Sequence, residues 1–195
     1  MHNVTVAFAA LLVMLLSYFF GCFNGSFMVS HFIIRDDVRK HGSGNAGLTN
    51  FYRTYGAKYA LLVIACDMGK TVAACLLGSF FFRCLGWDGT LGTLLAGLGC
   101  ELGHIFPVFY GFRGGKGILS GGTLVLLLNW RVAAVAWALF LLLWLTTRYV
   151  SLASITATCS APITVYFVYA HNWLYTGLCL AVAALVVWCH RENIQ

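Results

Sequence analysis

Seven apolar runs, separated by short polar segments, take up most of this chain and restrict it to a helical bundle in a membrane. They lie at about 4–29, 59–82, 90–110, 117–129, 132–147, 152–170 and 173–189. A helix needs about 20 mostly apolar residues to cross the hydrocarbon core, and within a bilayer a spanning segment must satisfy its own backbone. The pattern gives an all-α integral membrane protein with about seven transmembrane helices, forming one domain over 1–195. With 61% hydrophobic and 9% charged residues, nothing is left over for a separate soluble core.

The polar segments carry unequal charge. Arg35, Arg39, Lys40, Arg53, Lys58, Arg113, Lys116, Arg148 and Arg191 fall on alternate connections and the C-terminal tail, whereas the opposite connections hold only Arg83 and Arg131. Basic residues accumulate on the cytoplasmic side, so the N-terminus is expected outside and the C-terminus in the cytoplasm. The net charge of +6 forms no continuous stripe, which excludes a nucleic-acid partner. The start of the chain lacks a basic leader region and a small-residue cleavage pattern, and reads as a first span rather than a signal peptide.

Eight cysteines lie at 22, 66, 75, 84, 100, 159, 179 and 189, with no CxxC pair or metal-ligand spacing. Inside apolar runs a thiol behaves as a small hydrophobe. Neither a disulfide framework nor a metal site is expected, and no cofactor is implied.

Two polar stretches break the pattern on the cytoplasmic side. "GSGNAGLTNFYRTYG", 42–56, has almost no apolar periodicity and reads as a loop rich in hydrogen-bonding groups. "FPVFYGFRGGKG", 106–117, places four glycines beside Arg113 and Lys116. Glycines let a backbone approach a ligand and turn free N–H groups toward it, so this stretch is a candidate phosphate cradle. It is not a Walker A loop, because Gly117 follows Lys116 where that motif needs Ser or Thr. Ionisable residues within apolar runs face the protein interior or a watery cavity. Asp67 and Lys70 are three apart on one helix face and can pair, and Glu101 and His104 share that spacing. No Gly-x-Ser-x-Gly nucleophile elbow is present.

Four motifs, "GSGNAGLTNFYRTYG" (42–56), "GHIFPVFYGFRGGKG" (103–117), "VSLASI" (150–155) and "HREN" (190–193), occur in order along the chain. In this it resembles the bacterial acyl-phosphate:glycerol-3-phosphate acyltransferases, the PlsY-type integral membrane family. Thr71 stands where that family usually has Gly, and "GCFNGSF" replaces a Gly-Ser-Ile-Pro type stretch in the first helix. "HFIIRD", 31–36, is a literal His-x4-Asp, the signature of a different class of glycerolipid acyltransferases. That class also needs a Glu-Gly-Thr motif, which is absent, so His31 reads as a helix end and Asp36 as a loop charge.

The resemblance implies transfer of an acyl group from acyl phosphate to the 1-hydroxyl of sn-glycerol 3-phosphate. The products are lysophosphatidic acid and phosphate, and the reaction is the first acylation of phospholipid biosynthesis, at the cytoplasmic face of the bacterial inner membrane. The implied partners are the two substrates and membrane lipid. Carried over by motif, the residues implied in catalysis are Lys116, Arg53, His190 and Ser43. Those implied in substrate binding are Asn45, Thr49, Asn50, His104, Gly114, Gly115, Ser151, Ser154 and Asn193. An acyl phosphate has a good leaving group, so no covalent enzyme intermediate is expected, and either a substrate phosphate or one of His190 and His104 can take the proton. Aligning two bound substrates supplies much of such a barrier.

Overall fold

Each apolar run folds into helix, as the computed structural model shows for residues 2–194. The first run is α1, His2–Cys22, continued after Phe23 and Asn24 by the single turn α2, Gly25–Met28, and by a π-helical turn, Val29–Ile34. A 3-10 turn, Val38–Lys40, and α3, Leu48–Tyr55, occupy the polar segment that follows. Next come α4, Ala60–Cys84, α5, Gly89–Ile105, a 3-10 turn at Val108–Tyr110, and α6, Ile118–Leu128. The chain ends in α7, Trp130–Thr147, α8, Val150–Val168, α9, Trp173–Cys189, and the short α10, Arg191–Ile194. Several starts are set by short polar side chains. Asn24, Asp88, Asn129 and Asn172 each accept a bond from a first-turn N–H of the helix that follows, satisfying a donor that the helix itself cannot.

Five of these helical segments are long and apolar enough to cross a bilayer: Val4–Ile34, Ala60–Cys84, Gly89–Tyr110, Trp130–Thr147 and Val150–Val168. The other two apolar helices keep the expected bounds to within one residue but are short for a span. At 1.5 Å per residue α9 reaches about 25 Å and α6 only about 16 Å, against a hydrocarbon core of about 30 Å. The reason for the short α6 lies upstream. Gly114 N–H donates to Ile105 O (3.1 Å) and Gly115 N–H to His104 O (3.1 Å), so the segment before α6 folds back along the end of α5.

The middle of the bundle is α5, packed between α1, α4, α6 and α9. Its glycines make this possible. A Cβ on Gly103 would meet the Tyr18 carbonyl of α1, one on Gly99 the Met14 carbonyl, and one on Gly92 the Gly78 carbonyl of α4. Small residues four apart let helices approach closely where no hydrophobic drive exists between them. Gly103→Ala is therefore expected to cost about 1–3 kcal/mol, since backbone cannot yield as a side chain can. Thermal unfolding of the detergent-solubilised protein checks this. Thr71 fits its position without a glycine: its hydroxyl donates to Asp67 O (2.9 Å) and lies 3.7 Å from Cys100 Sγ of α5.

The segment 42–56 is only half loop. Leu48–Tyr55 is a two-turn helix whose buried Phe51 packs with Val38, Ala46 and Val63. Leu48, Phe51, Tyr52 and Tyr55 follow a helical period, which the surrounding glycines and polar residues masked in the sequence reading.

Candidate active site

The four polar motifs converge at one end of the bundle. The loop before α3 is assembled by its own side chains. Asn50, buried in the first turn of α3, accepts from Ser43 N–H (3.0 Å), and its amide nitrogen lies 3.0–3.1 Å from the carbonyls of Val38, His41 and Asn45. Asp36 accepts from Tyr55 OH (3.0 Å) and pairs with His41 (2.7 Å). Its carboxyl is held below the usual aspartate range chiefly by the Asp37 N–H, and desolvation pushes the half-buried Tyr55 beside it up to about 12. His31 is in the π-helical turn, stacked on Phe27.

This loop is tied directly to the glycine-rich one. Ala46 N–H donates to Gly114 O (3.3 Å), Asn24 Nδ2 to Ala46 O (2.9 Å), and Arg39 to Tyr110 O (2.7 Å). The amides of Gly114 and Gly115 are therefore engaged with α5 and do not face a ligand as expected from the sequence. What these glycines provide is room: a Cβ on Gly115 would collide with His104 Nε2, and one on Gly117, at φ +82°, with Glu101 Oε1. Lys116 and the start of α6, Gly117 to Leu119, line the cavity; the first N–H groups of a helix have no partner within it and sit at its positive end.

Beneath the loops lies a buried ionic cluster. Lys70 Nζ is 2.8 Å from Asp67 Oδ1 and donates to Gly21 O (3.0 Å), Phe23 O (3.1 Å) and His104 Nδ1 (2.8 Å). Asp67 Oδ1 also accepts from Gly25 N–H (3.0 Å). With Lys70 donating to Nδ1, the His104 proton belongs on Nε2, next to Gly115. The expected Asp67–Lys70 pair is formed. The Glu101–His104 pair is not: His104 turns to Lys70, and Glu101 Oε1, against Gly117, has no hydrogen-bond partner among the described residues.

A cavity of about 1040 Å³ opens here. Its polar mouth takes in Ser43, Asn45, Thr49 and Arg53 from the first motif, Lys116 from the second, Ser151 and Ser154 from the third, and His190 and Asn193 from the tail. Asn50 and His104 also reach its wall. Gly114 and Gly115 line a smaller adjoining cavity of about 460 Å³, which shares Ser43, Asn45, Lys116 and Asn193 with the first. Arg113 lines neither. Arg148 lines the larger one, as does Asp67. Sequence reading gave Arg148 only a topological role. Its position at the end of an apolar run, next to "VSLAS", was the available signal.

The tail closes the mouth. Asn193 Oδ1 accepts from Lys116 Nζ, and Trp188 packs on Phe106 at 5.8 Å. Burial pulls the Lys116 ammonium below the ordinary lysine value. His190 Nδ1 donates to Val186 O (2.8 Å), which leaves Nε2 as an acceptor. Burial also pulls His190 below its ordinary value of 6.5, so the ring is neutral at pH 7. A folded-state value lowered in this way contributes stability above the unfolded pKa and loses it as pH falls through the folded one. The loss in thermal midpoint between pH 7 and pH 5 is therefore expected to be smaller for His190→Gln than for the wild type, as measured by differential scanning fluorimetry in detergent.

Past this mouth the cavity turns apolar, running between α6, α7, α8 and α9 along Gly121, Trp137, Ile155 and Val182. Ser154 Oγ, buried where the two zones meet, has no hydrogen-bond partner among the described residues. Arg53, Lys116 and Arg148 face one space, and no serine in it is bonded to a histidine. The site can hold an amphiphile with an anionic head, beside a second small anion. It offers no activated serine nucleophile.

Comparison with known proteins agrees with this geometry. Residues 11–195 match the family model described as glycerol-3-phosphate acyltransferase. A glycerol-3-phosphate acyltransferase of Syntrophomonas wolfei is 39% identical over 187 residues, covering 96% of this chain and 91% of the relative. A crystal structure of PlsY (YgiH), an integral membrane glycerol 3-phosphate acyltransferase, in its glycerol 3-phosphate form, superposes with a TM-score of 0.82 at 36% identity, covering 95% of this chain and 90% of the other. The lysophosphatidic acid form gives 0.80 at 34% identity, with 95% and 89% covered.

Proposed function

This chain belongs to the glycerol-3-phosphate acyltransferase family, and we propose that it transfers the acyl group of an acyl phosphate to the 1-hydroxyl of sn-glycerol 3-phosphate. The observation that carries this reading is one cavity that joins a tricationic mouth to an apolar extension. The mouth suits two phosphates that would otherwise repel each other, and the extension suits an acyl chain.

In this reading the glycerol hydroxyl oxygen attacks the acyl carbonyl carbon, the bond from that carbon to the phosphate oxygen breaks, and inorganic phosphate leaves. Lys116, Arg53 and the first turn of α6 stabilise the negative charge that develops on the leaving group. Ser43, Thr49, Ser151, Ser154 and Asn193 orient the substrates, and His190 Nε2 accepts from the glycerol moiety. The hydroxyl proton passes to a substrate phosphate, an anion held beside the attacking oxygen, and His190 serves as the acceptor that orients the hydroxyl. His190→Gln and His104→Gln are each expected to keep turnover within about tenfold of wild type, since general-base loss typically costs 10²–10⁴-fold.

The mouth faces the cytoplasm of a bacterial inner membrane in this reading, supported by the nine basic residues on that side against two on the other. Purified protein in lipid, given acyl phosphate and glycerol 3-phosphate, is expected to release phosphate and form lysophosphatidic acid in equal amounts. Product formed from an acyl thioester, with none from any acyl phosphate, would overturn the donor assignment.

A further inference from the structure

The apolar extension has a closed end. Val125 of α6, Ala136 of α7, Ala161 of α8 and Cys179 of α9 line the cavity and are also buried members of one packed cluster. Leu128, Val132, Val165 and Tyr175 continue that cluster away from the mouth. The groove therefore stops on a packed layer to which four helices each contribute one residue.

Its depth can be read from those helices. From Ser151 to Ala161 α8 advances about 15 Å, from His190 to Cys179 α9 advances about 16 Å, and from Arg148 to Ala136 α7 advances about 18 Å. Along α6, which starts below the mouth, Gly117 to Val125 is about 12 Å. An extended alkyl chain advances about 1.3 Å per carbon, from C–C bonds of about 1.5 Å. About 12 carbons thus fit between the mouth and the floor.

We propose that the layer Val125, Ala136, Ala161 and Cys179 is a ruler for the acyl donor, one that seats about 12 carbons before a longer chain has to turn out between the helices into the bilayer. This rests on the acyl-phosphate reading above. Ala136 and Ala161 are the small members of the layer, so a larger residue at Ala161 raises the floor. Cys179 does the same from the opposite helix. Trp137, whose ring lies against Gly122, walls the groove on the α7 side.

The test is turnover of the full-length protein in bicelles with hexanoyl, octanoyl, dodecanoyl and palmitoyl phosphates at equal mole fraction, so that partitioning into lipid does not set the order. For the wild type, turnover is expected to rise about tenfold from hexanoyl to dodecanoyl and to change less than about twofold from dodecanoyl to palmitoyl. In Ala161→Phe, and separately in Cys179→Phe, the dodecanoyl-to-octanoyl ratio is expected to fall about fivefold, to near one, as the break moves to shorter chains. If one variant fails to fold, the other and the wild-type break still decide the matter. A wild-type profile without a break, or variants that keep the wild-type ratio, would overturn the ruler alone. Absence of turnover with every donor would overturn the donor assignment and the ruler with it.

Discussion

Lys116→Ala is expected to lower acyl transfer by about 10²–10³-fold while leaving the helical fold intact, the scale of losing one preorganised charge stabiliser. Lys116 is the residue that both cavities share on the glycine-rich segment, and it is the only cation there, because Arg113 lines neither. It sits half-buried with its ammonium against Asn193, so its removal takes away a charge at the point where phosphate departs and also detaches the tail that closes the mouth. Its backbone neighbours are held by α5 and not by its side chain, which is why the fold should survive. Lys116→Arg should recover only part of the rate, since a planar fork does not replace a compact ammonium. Phosphate release at saturating substrate, with circular dichroism as control, decides it. A rate within a few-fold of wild type would exclude Lys116 from phosphate binding.

The second large effect is on stability. Asp67→Ala should cost about 3–5 kcal/mol, the penalty for leaving a buried charge without its partner. Lys70 would keep only two carbonyls and His104 around it, and Gly25 N–H would lose its acceptor. Four elements, α1, α2, α4 and α5, meet at this point. Replacing both members of the pair with apolar residues, Asp67→Leu with Lys70→Met, should cost less than the single change, because no charge is then stranded. Thermal unfolding in detergent separates these outcomes. Equal losses in the single and double variants would show that packing, and not the ion pair, sets the stability there.

Sequence reading recovered the helices because long apolar runs are a local signal. It also placed the four polar motifs on one side, and the structure brings them to one cavity. Pairwise and depth information were harder to read. Glu101 and His104 have the spacing of a pair, yet Lys70 of α4 reaches His104 first, and no within-helix rule can foresee a neighbour from another helix. Asn50 carries the chemistry of a substrate ligand, but its amide holds the loop. That distinction depends on three carbonyls whose positions are tertiary. The run 117–129 is short for a span in the sequence itself, but only the bonds of Gly114 and Gly115 to α5 show that the loop before it folds back along that helix.

Those bonds also fix how the chain can change in length. Residues 111–113 are exposed, so an extra residue there can bulge into water. Between Gly115 and Ile118 the case is different. The backbone is pinned to α5 on one side and becomes α6 on the other, and one inserted residue would rotate α6 by about 100°. Gly121 and Gly122 would then point away from the groove while Lys116 stayed at the mouth. The few residues that set where the phosphate binds thus also set which face of α6 the acyl chain meets, and insertions or deletions are tolerable on only one side of Gly114.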